Sequence, residues 1–174
     1  MFRFIYKTIK FISFLVLSNA MNITWKVLVV SLLVVFLTGF LGTLAMKDSV
    51  NTQWYLDNKP SFTPPNYVFG PVWTTLYILI AGALYLSWTK AKKKEKKKVA
   101  WAYGTNLILN ALWSFLFFGL LNPLLALLEI VILWMTIFWM IKVSYKIDKR
   151  AAWMLVPYLL WVAVAILLNA GFLF

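Results

Sequence analysis

The chain has 174 residues, 63% of them hydrophobic and 13% charged, with a mean hydropathy of +0.84. Soluble domains carry about 25% charged residues, so a soluble globular fold is excluded. There is no Cys and no His, which rules out disulfides, thiolate or imidazole metal ligation and the commonest general base, while the net charge of +12 sits at the ends of apolar runs, where it sets membrane topology rather than binding nucleic acid.

The first twenty residues, MFRFIYKTIKFISFLVLSNA, have a basic start, a short apolar core and a small-residue end, like a signal peptide. Cleavage after Ala20 would place the new N-terminus outside and drag the Lys90–Lys98 run outside with it, against the positive-inside rule. The expectation is therefore an uncleaved interfacial helix over 1–20, or a stretch upstream of a true start at Met21, followed by a single membrane domain over 21–174.

Five apolar runs then reach the roughly 20 residues that cross a bilayer: about Ile23–Met46, Tyr67–Trp88, Val99–Leu121, Leu124–Val143 and Ala151–Phe172. None alternates as a barrel strand does, so the predicted fold is all-α, an integral membrane bundle of five transmembrane helices. Only Leu121-Asn122-Pro123 separates spans three and four, which makes them antiparallel neighbours. Fifteen of the seventeen basic residues fall on one side: those up to Lys26, the run Lys90–Lys98, and Lys142, Lys146, Lys149 and Arg150. That side is the expected cytoplasmic face, with the N-terminus inside and the C-terminus and first loop outside.

The first loop, WYLDNKPSFTPPNYVFGPVW from Trp54 to Trp73, holds four prolines and several aromatics. Pro60, Pro64, Pro65 and Pro71 each fix φ, so the segment loses little entropy on ordering. Its residues alone fit either a rigid connector with interfacial aromatics or a lid over an outward-facing cavity. Pro71 is expected in the first turns of span two, where a missing N–H costs little.

Helical spacing lines up three stripes. Asn106, Asn110 and Trp113 share a face of span three, and Trp73 and Tyr77 share a face of span two. Pro157, Trp161, Ala165 and Asn169 repeat along span five. Each stripe sets a flat ring beside a small or polar side chain, which fits ordinary helix packing with interhelical Asn bonds or a shared aromatic cavity. Glu129 is the one acid well inside a span, either a functional intramembrane carboxyl or a side chain reaching the nearby interface. Trp134, Trp139, Trp25, Trp88, Trp101 and Trp153 read most simply as interfacial anchors. Ala100 and Gly104 form a weak small-xxx-small pair through which two copies could approach. There is no paired carboxylate, Ser/His/Asp set, glycine-rich phosphate loop or metal-ligand cluster.

Taken together, the Trp54–Trp73 stretch, Asn106-x₃-Asn110-x₂-Trp113-Ser114 and Pro157-Tyr158-x₂-Trp161-x₃-Ala165-x₃-Asn169 resemble the translocator-protein family, also called tryptophan-rich sensory proteins or peripheral-type benzodiazepine receptors. The likeness runs from about Ile23 to Phe174. It implies a five-helix bundle, usually a homodimer, with a pocket opening on the side of the first loop. It further implies a receptor or sensor that binds porphyrins such as haem and protoporphyrin IX as ligands and requires no cofactor or metal. The family's pocket positions fall on Tyr55, Trp73, Asn110, Trp113, Trp161 and Ala165, and its loop positions on Trp54, Lys59, Pro60, Pro64 and Pro65.

Some bacterial members are linked to light-dependent porphyrin breakdown through tryptophans matching Trp73 and Trp161. An enzyme-like activity of that kind is thus the alternative, distinguishable by whether illumination yields one defined product. A porphyrin or sterol transporter is a further alternative, without an inverted repeat to support it. The sterol-recognition segment of animal members has no counterpart up to Phe174, so cholesterol is not the expected ligand. The expected setting is a bacterial cell membrane with lipid as a partner. Without His or Cys, haem would lack its usual axial ligands, so affinity should rest on stacking and burial.

Overall fold

In a computed structural model, which describes residues 24–46 and 49–173, the chain folds into five long helices and one short one. Helix α1 covers Trp25–Met46; a 3₁₀ turn at Ser49–Asn51 leads to the short α2, Gln53–Asn58. Helices α3 (Asn66–Lys90), α4 (Lys93–Ser114), α5 (Pro123–Ile147) and α6 (Lys149–Ala170) follow, with a π-helical turn at Phe115–Gly119 closing α4. The N-terminal stretch 1–20 lies outside the described residues.

α1, α3, α5 and α6 are each long and apolar enough to cross a membrane. α4 falls short only because its first two turns are lysine-rich; from Val99 its apolar stretch continues through the π turn to Gly119. The protein is an integral membrane protein built as an all-α bundle. Its lipid-facing belt is open apolar surface, with Leu33, Leu37, Ile108, Leu128, Met135 and Leu160 all exposed, as expected where the solvent is hydrocarbon.

Neighbour contacts close the long helices into a ring in the order α1, α3, α6, α5, α4. The α4–α5 corner is tight, as the sequence predicts: Leu121 takes a left-handed φ of 49°, Asn122 Oδ1 accepts from Leu125 N–H at 3.0 Å, and Pro123 opens α5. Asn122 is a side-chain N-cap and Pro123 sits where its missing N–H is harmless, so the two residues start the helix at once.

At the lysine-rich end three hydroxyls form a buried triangle. Ser87 Oγ donates to Ser144 Oγ at 3.0 Å, Tyr103 Oη lies 2.9 Å from Ser144 Oγ, and Ser87 Oγ lies 3.3 Å from Tyr103 Oη. All three residues are fully or almost fully buried, so the triangle ties α3, α4 and α5 where stray polar groups would be costly.

One boundary differs from the sequence reading. The Lys90–Lys98 run is not a loop: only Ala91 and Lys92 link α3 to α4, and Lys93–Lys98 form the first turns of α4. Glu95 explains this, because its Oε2 accepts the Lys92 N–H at 2.8 Å and its charge suits a helix N-terminus. Pro71 is the sixth residue of α3, within its first turns as expected, yet past the end where a missing N–H would be free. Its position costs the helix one backbone bond on an exposed face.

Asp148, the hinge between α5 and α6, is buried and paired. Lys90 Nζ lies 2.7 Å and Arg150 Nη2 3.1 Å from its Oδ2, and the Arg150 N–H donates to Oδ1 at 2.9 Å. Burial alone pushes this carboxyl up, but the bonds from Arg150 and Lys90 outweigh it and leave the group below the usual aspartate range. A lowered folded-state value stabilises the fold above the unfolded pKa of about 3.9, and the contribution is lost as pH falls through the folded value. Thermal melts stepped from pH 7 to pH 3 should therefore show Asp148→Asn starting below wild type at neutral pH and losing less on acidification. Parallel curves would contradict that role.

Candidate functional site

The end of the bundle away from the lysines is hollow. A cavity of about 400 Å³ opens there, with α1, α3, the end of α4, α6 and the first loop around it. Tyr55, Trp73, Asn110, Trp113, Trp161 and Ala165 all line it, although four separate elements carry them.

The rings have distinct supports. Trp73 lies 5.5 Å from Tyr77 and edge-on to Tyr158 at 6.3 Å, while Phe69 meets Trp161 edge-on at 5.9 Å. Trp113 stacks on Phe117 at 5.3 Å, and its Nε1–H donates to Asn169 Oδ1 at 3.0 Å. Asn169 Nδ2 in turn donates to the Pro123 carbonyl at 2.8 Å, so one side chain fixes both the Trp113 ring and the α4–α5 corner. Such fixed flat walls suit a large planar apolar ligand.

Behind the rings runs an oriented chain of hydrogen bonds. Tyr77 Oη donates to Asn110 Oδ1 at 3.3 Å, Asn110 Nδ2 donates to Tyr158 Oη at 3.1 Å, and Tyr158 Oη donates to Asn106 Oδ1 at 3.3 Å. Asn106 Nδ2 then donates to Thr136 Oγ1 at 2.9 Å, which donates to the Leu133 carbonyl at 2.6 Å. Asn110 thus faces the cavity with its amide held at both ends, whereas Asn106, one turn deeper, is fully buried and does not line it. The predicted stripe divides in two: Asn110 and Trp113 at the site, Asn106 beneath it.

On α6, Trp161, Ala165 and Asn169 line the cavity, and Pro157 is exposed outside it. From the loop, Tyr55 and Thr63 reach the cavity; Trp54, Lys59, Pro60, Pro64 and Pro65 do not. Trp54 instead stacks on Phe172 at 5.6 Å and meets Phe117 at 6.1 Å, and Ser49 Oγ donates to the Phe118 carbonyl at 2.7 Å. Gly171 touches the loop so closely that a Cβ there would overlap Pro60 Cγ. Lys59 and Pro65 are exposed and Pro64 half-buried. Burial pushes the Tyr55 hydroxyl above the usual tyrosine value, so it stays a neutral hydrogen-bonding group.

Other parts of the wall were not singled out from sequence. Phe36, Gly39, Phe40 and Thr43 of α1, Phe117 and Phe118 of the π turn, and Phe172 also line the cavity. Gly39 is there because Tyr77 fills the space a Cβ would take, and Gly42 because Ser114 Oγ lies 3.0 Å from where its Cβ would be. The Gly39-x₂-Gly42 spacing was the available signal for this close approach.

For Glu129 one of the two alternatives falls away, and the reading of one tryptophan needs correcting. Glu129 does not reach the interface: it is buried, neither carboxyl oxygen has a hydrogen-bond partner within the protein, and it does not line the cavity. Trp134 is no interfacial anchor, since its Nε1–H donates across the bundle to the Leu159 carbonyl at 3.1 Å and its ring meets Phe138 at 4.6 Å. Trp25, Trp101 and Trp153 are exposed near the lysine-rich end, as an interfacial belt requires. Among the described residues, no group of three or more Asp or Glu side chains is placed to hold a metal ion.

A family model described as TspO/MBR matches residues 29–174, nearly the whole bundle. The chain belongs to the TspO/MBR family. It is 44% identical over 143 residues to the tryptophan-rich protein TspO of Archaeoglobus fulgidus, covering 82% of this chain and 92% of that one. It is 30% identical over 151 residues to a tryptophan-rich sensory protein of Cereibacter sphaeroides, covering 86% and 90%. The human translocator protein is 34% identical over 125 residues, covering 67% and 71%. The TspO/MBR match spans every element that walls the cavity apart from the first turn of α1, which lies at the opposite end.

Proposed function

We propose that this TspO/MBR protein is a membrane receptor or sensor that binds porphyrins, haem or protoporphyrin IX, in the aromatic cavity beneath the first loop. The observation that carries this reading is the convergence of Trp73, Trp113 and Trp161, with Asn110, on one cavity of about 400 Å³. That volume lies within the roughly 300–1,000 Å³ of small-molecule pockets. The rings would stack on the macrocycle and Asn110 would orient it. The protein would sit as a homodimer in a bacterial cell membrane, with the lysine-rich face and N-terminus inside and the cavity and C-terminus outside, following the charge distribution.

Because the sequence has no His or Cys, stacking and burial supply the affinity rather than axial ligation. Titration of purified protein, read by tryptophan quenching, should give metal-free protoporphyrin IX and haem Kd values within about tenfold of each other. Haem binding a hundredfold tighter, a gap of about 2.7 kcal/mol, would overturn stacking as the main term.

The loop acts as a cover because it is fastened to the C-terminal end of the bundle by the Pro60–Gly171 and Trp54–Phe172 contacts. Gly171→Leu drives Pro60 away from α6 and should speed protoporphyrin IX release by about tenfold, since such changes act mainly on dissociation. Unchanged off-rates would make the loop a connector only.

A further inference from the structure

A second cavity of about 350 Å³ lies at the opposite, lysine-rich end, in the groove between α1, α3 and α4. Val27, Val30 and Val34 of α1 form one wall and Leu84 and Trp88 of α3 another; Tyr103 is its buried floor. α4 contributes Ala100 and Gly104, and a Cβ at Gly104 would meet nothing within 4 Å. The groove is therefore open space in front of Gly104. Its mouth is cationic: Lys26 lines it, and Lys96 Nζ lies 5.4 Å from the centre of the Trp88 ring.

We propose that this groove holds one acyl chain of an anionic phospholipid from the leaflet on the lysine-rich side, with its phosphate bound by Lys26 and Lys96. The placement matches a lipid at each level. The apolar walls lie along membrane-spanning helices, and the cations stand at the helix ends, where headgroups lie. A long apolar slot below a pair of ammonium groups complements a chain below a phosphate. The same charges oppose other occupants. A second copy docked symmetrically would bring two sets of Lys92–Lys98 together, and residues 1–20 carry Arg3, Lys7 and Lys10 of their own. The groove is separate from the aromatic cavity and shares no lining residue with it.

The test uses the full chain in nanodiscs and in detergent, with phosphatidylglycerol and phosphatidylcholine of matched chains as probes, read by native mass spectrometry. Wild type should retain one phosphatidylglycerol per chain at least tenfold more strongly than phosphatidylcholine. K26A/K96A should lose that preference. Gly104→Leu fills the slot and should lose retention of both lipids; Ala100→Leu, at an exposed position, does the same should the first variant fail to fold. Equal retention of the two lipids, or wild-type retention by both leucine variants, would overturn the proposal. So would leucine variants that become monomeric while still holding the lipid, because the groove would then be a subunit contact.

Discussion

Ala165→Phe should weaken protoporphyrin IX binding at least a hundredfold, about 2.7 kcal/mol, while leaving the helix bundle intact. Ala165 lies one turn beyond Trp161 on the same face of α6, and both line the cavity. A phenyl ring at this position has somewhere to go, because the space in front of it is the cavity itself. The usual penalty for overpacking a filled core, about 1–3 kcal/mol, is therefore largely avoided. What the ring displaces is the ligand. Ala165→Gly, which adds room without removing a wall, should bind within a few-fold of wild type. Equal affinities for the phenylalanine variant and wild type, with both folded, would place the ligand somewhere else.

Tyr158→Phe is expected to have the largest effect on stability among single-atom changes in the bundle. The hydroxyl of this fully buried residue accepts from Asn110 Nδ2 at 3.1 Å and donates to Asn106 Oδ1 at 3.3 Å. Removing it leaves two buried amide groups each short of a partner, with about 1–3 kcal/mol at stake for each in soluble proteins. Interhelical bonds in membranes average nearer 0.6 kcal/mol, so a combined loss of about 2 kcal/mol is expected. By the soluble-protein scaling for a chain of this size, the thermal midpoint should drop by about 4–8 °C. Porphyrin affinity should fall much less, since Asn110 keeps its bond from Tyr77. A stability change within error would show that the chain of hydroxyls and amides is not cooperative.

How far the sequence could be read depended on which physical signal each feature uses. The spans were legible because twenty apolar residues in a row have few other uses, and the α4–α5 corner because Asn-Pro both caps and opens a helix. Trp73, Asn110, Trp113, Trp161 and Ala165 were legible from helical spacing joined to a family likeness. The α1 wall was not, since a helix that is apolar all round carries no stripe to show which face turns inward. Only Gly39 and Gly42 betray it, and their meaning depends on Tyr77 and Ser114, which come from other helices. The π turn was equally hidden: Phe115–Gly119 reads as ordinary apolar helix, yet its extra residue per turn stacks Phe117 on Trp113 and sets Phe118 edge-on to it. Trp134 misled because a tryptophan in a span has two common roles, and only the Leu159 carbonyl opposite decides between them. Helical Lys93–Lys98 depends on one residue, Glu95, placed three positions after the cap.

The proposed site is tested most directly by a structure of the protein with protoporphyrin IX bound. The account predicts the macrocycle between the rings of Trp73, Trp113 and Trp161, within reach of the Asn110 amide, with the loop still seated on Phe172 and Gly171. A macrocycle seated outside this cavity, against the lipid-facing surface or in the lysine-rich groove, would contradict it.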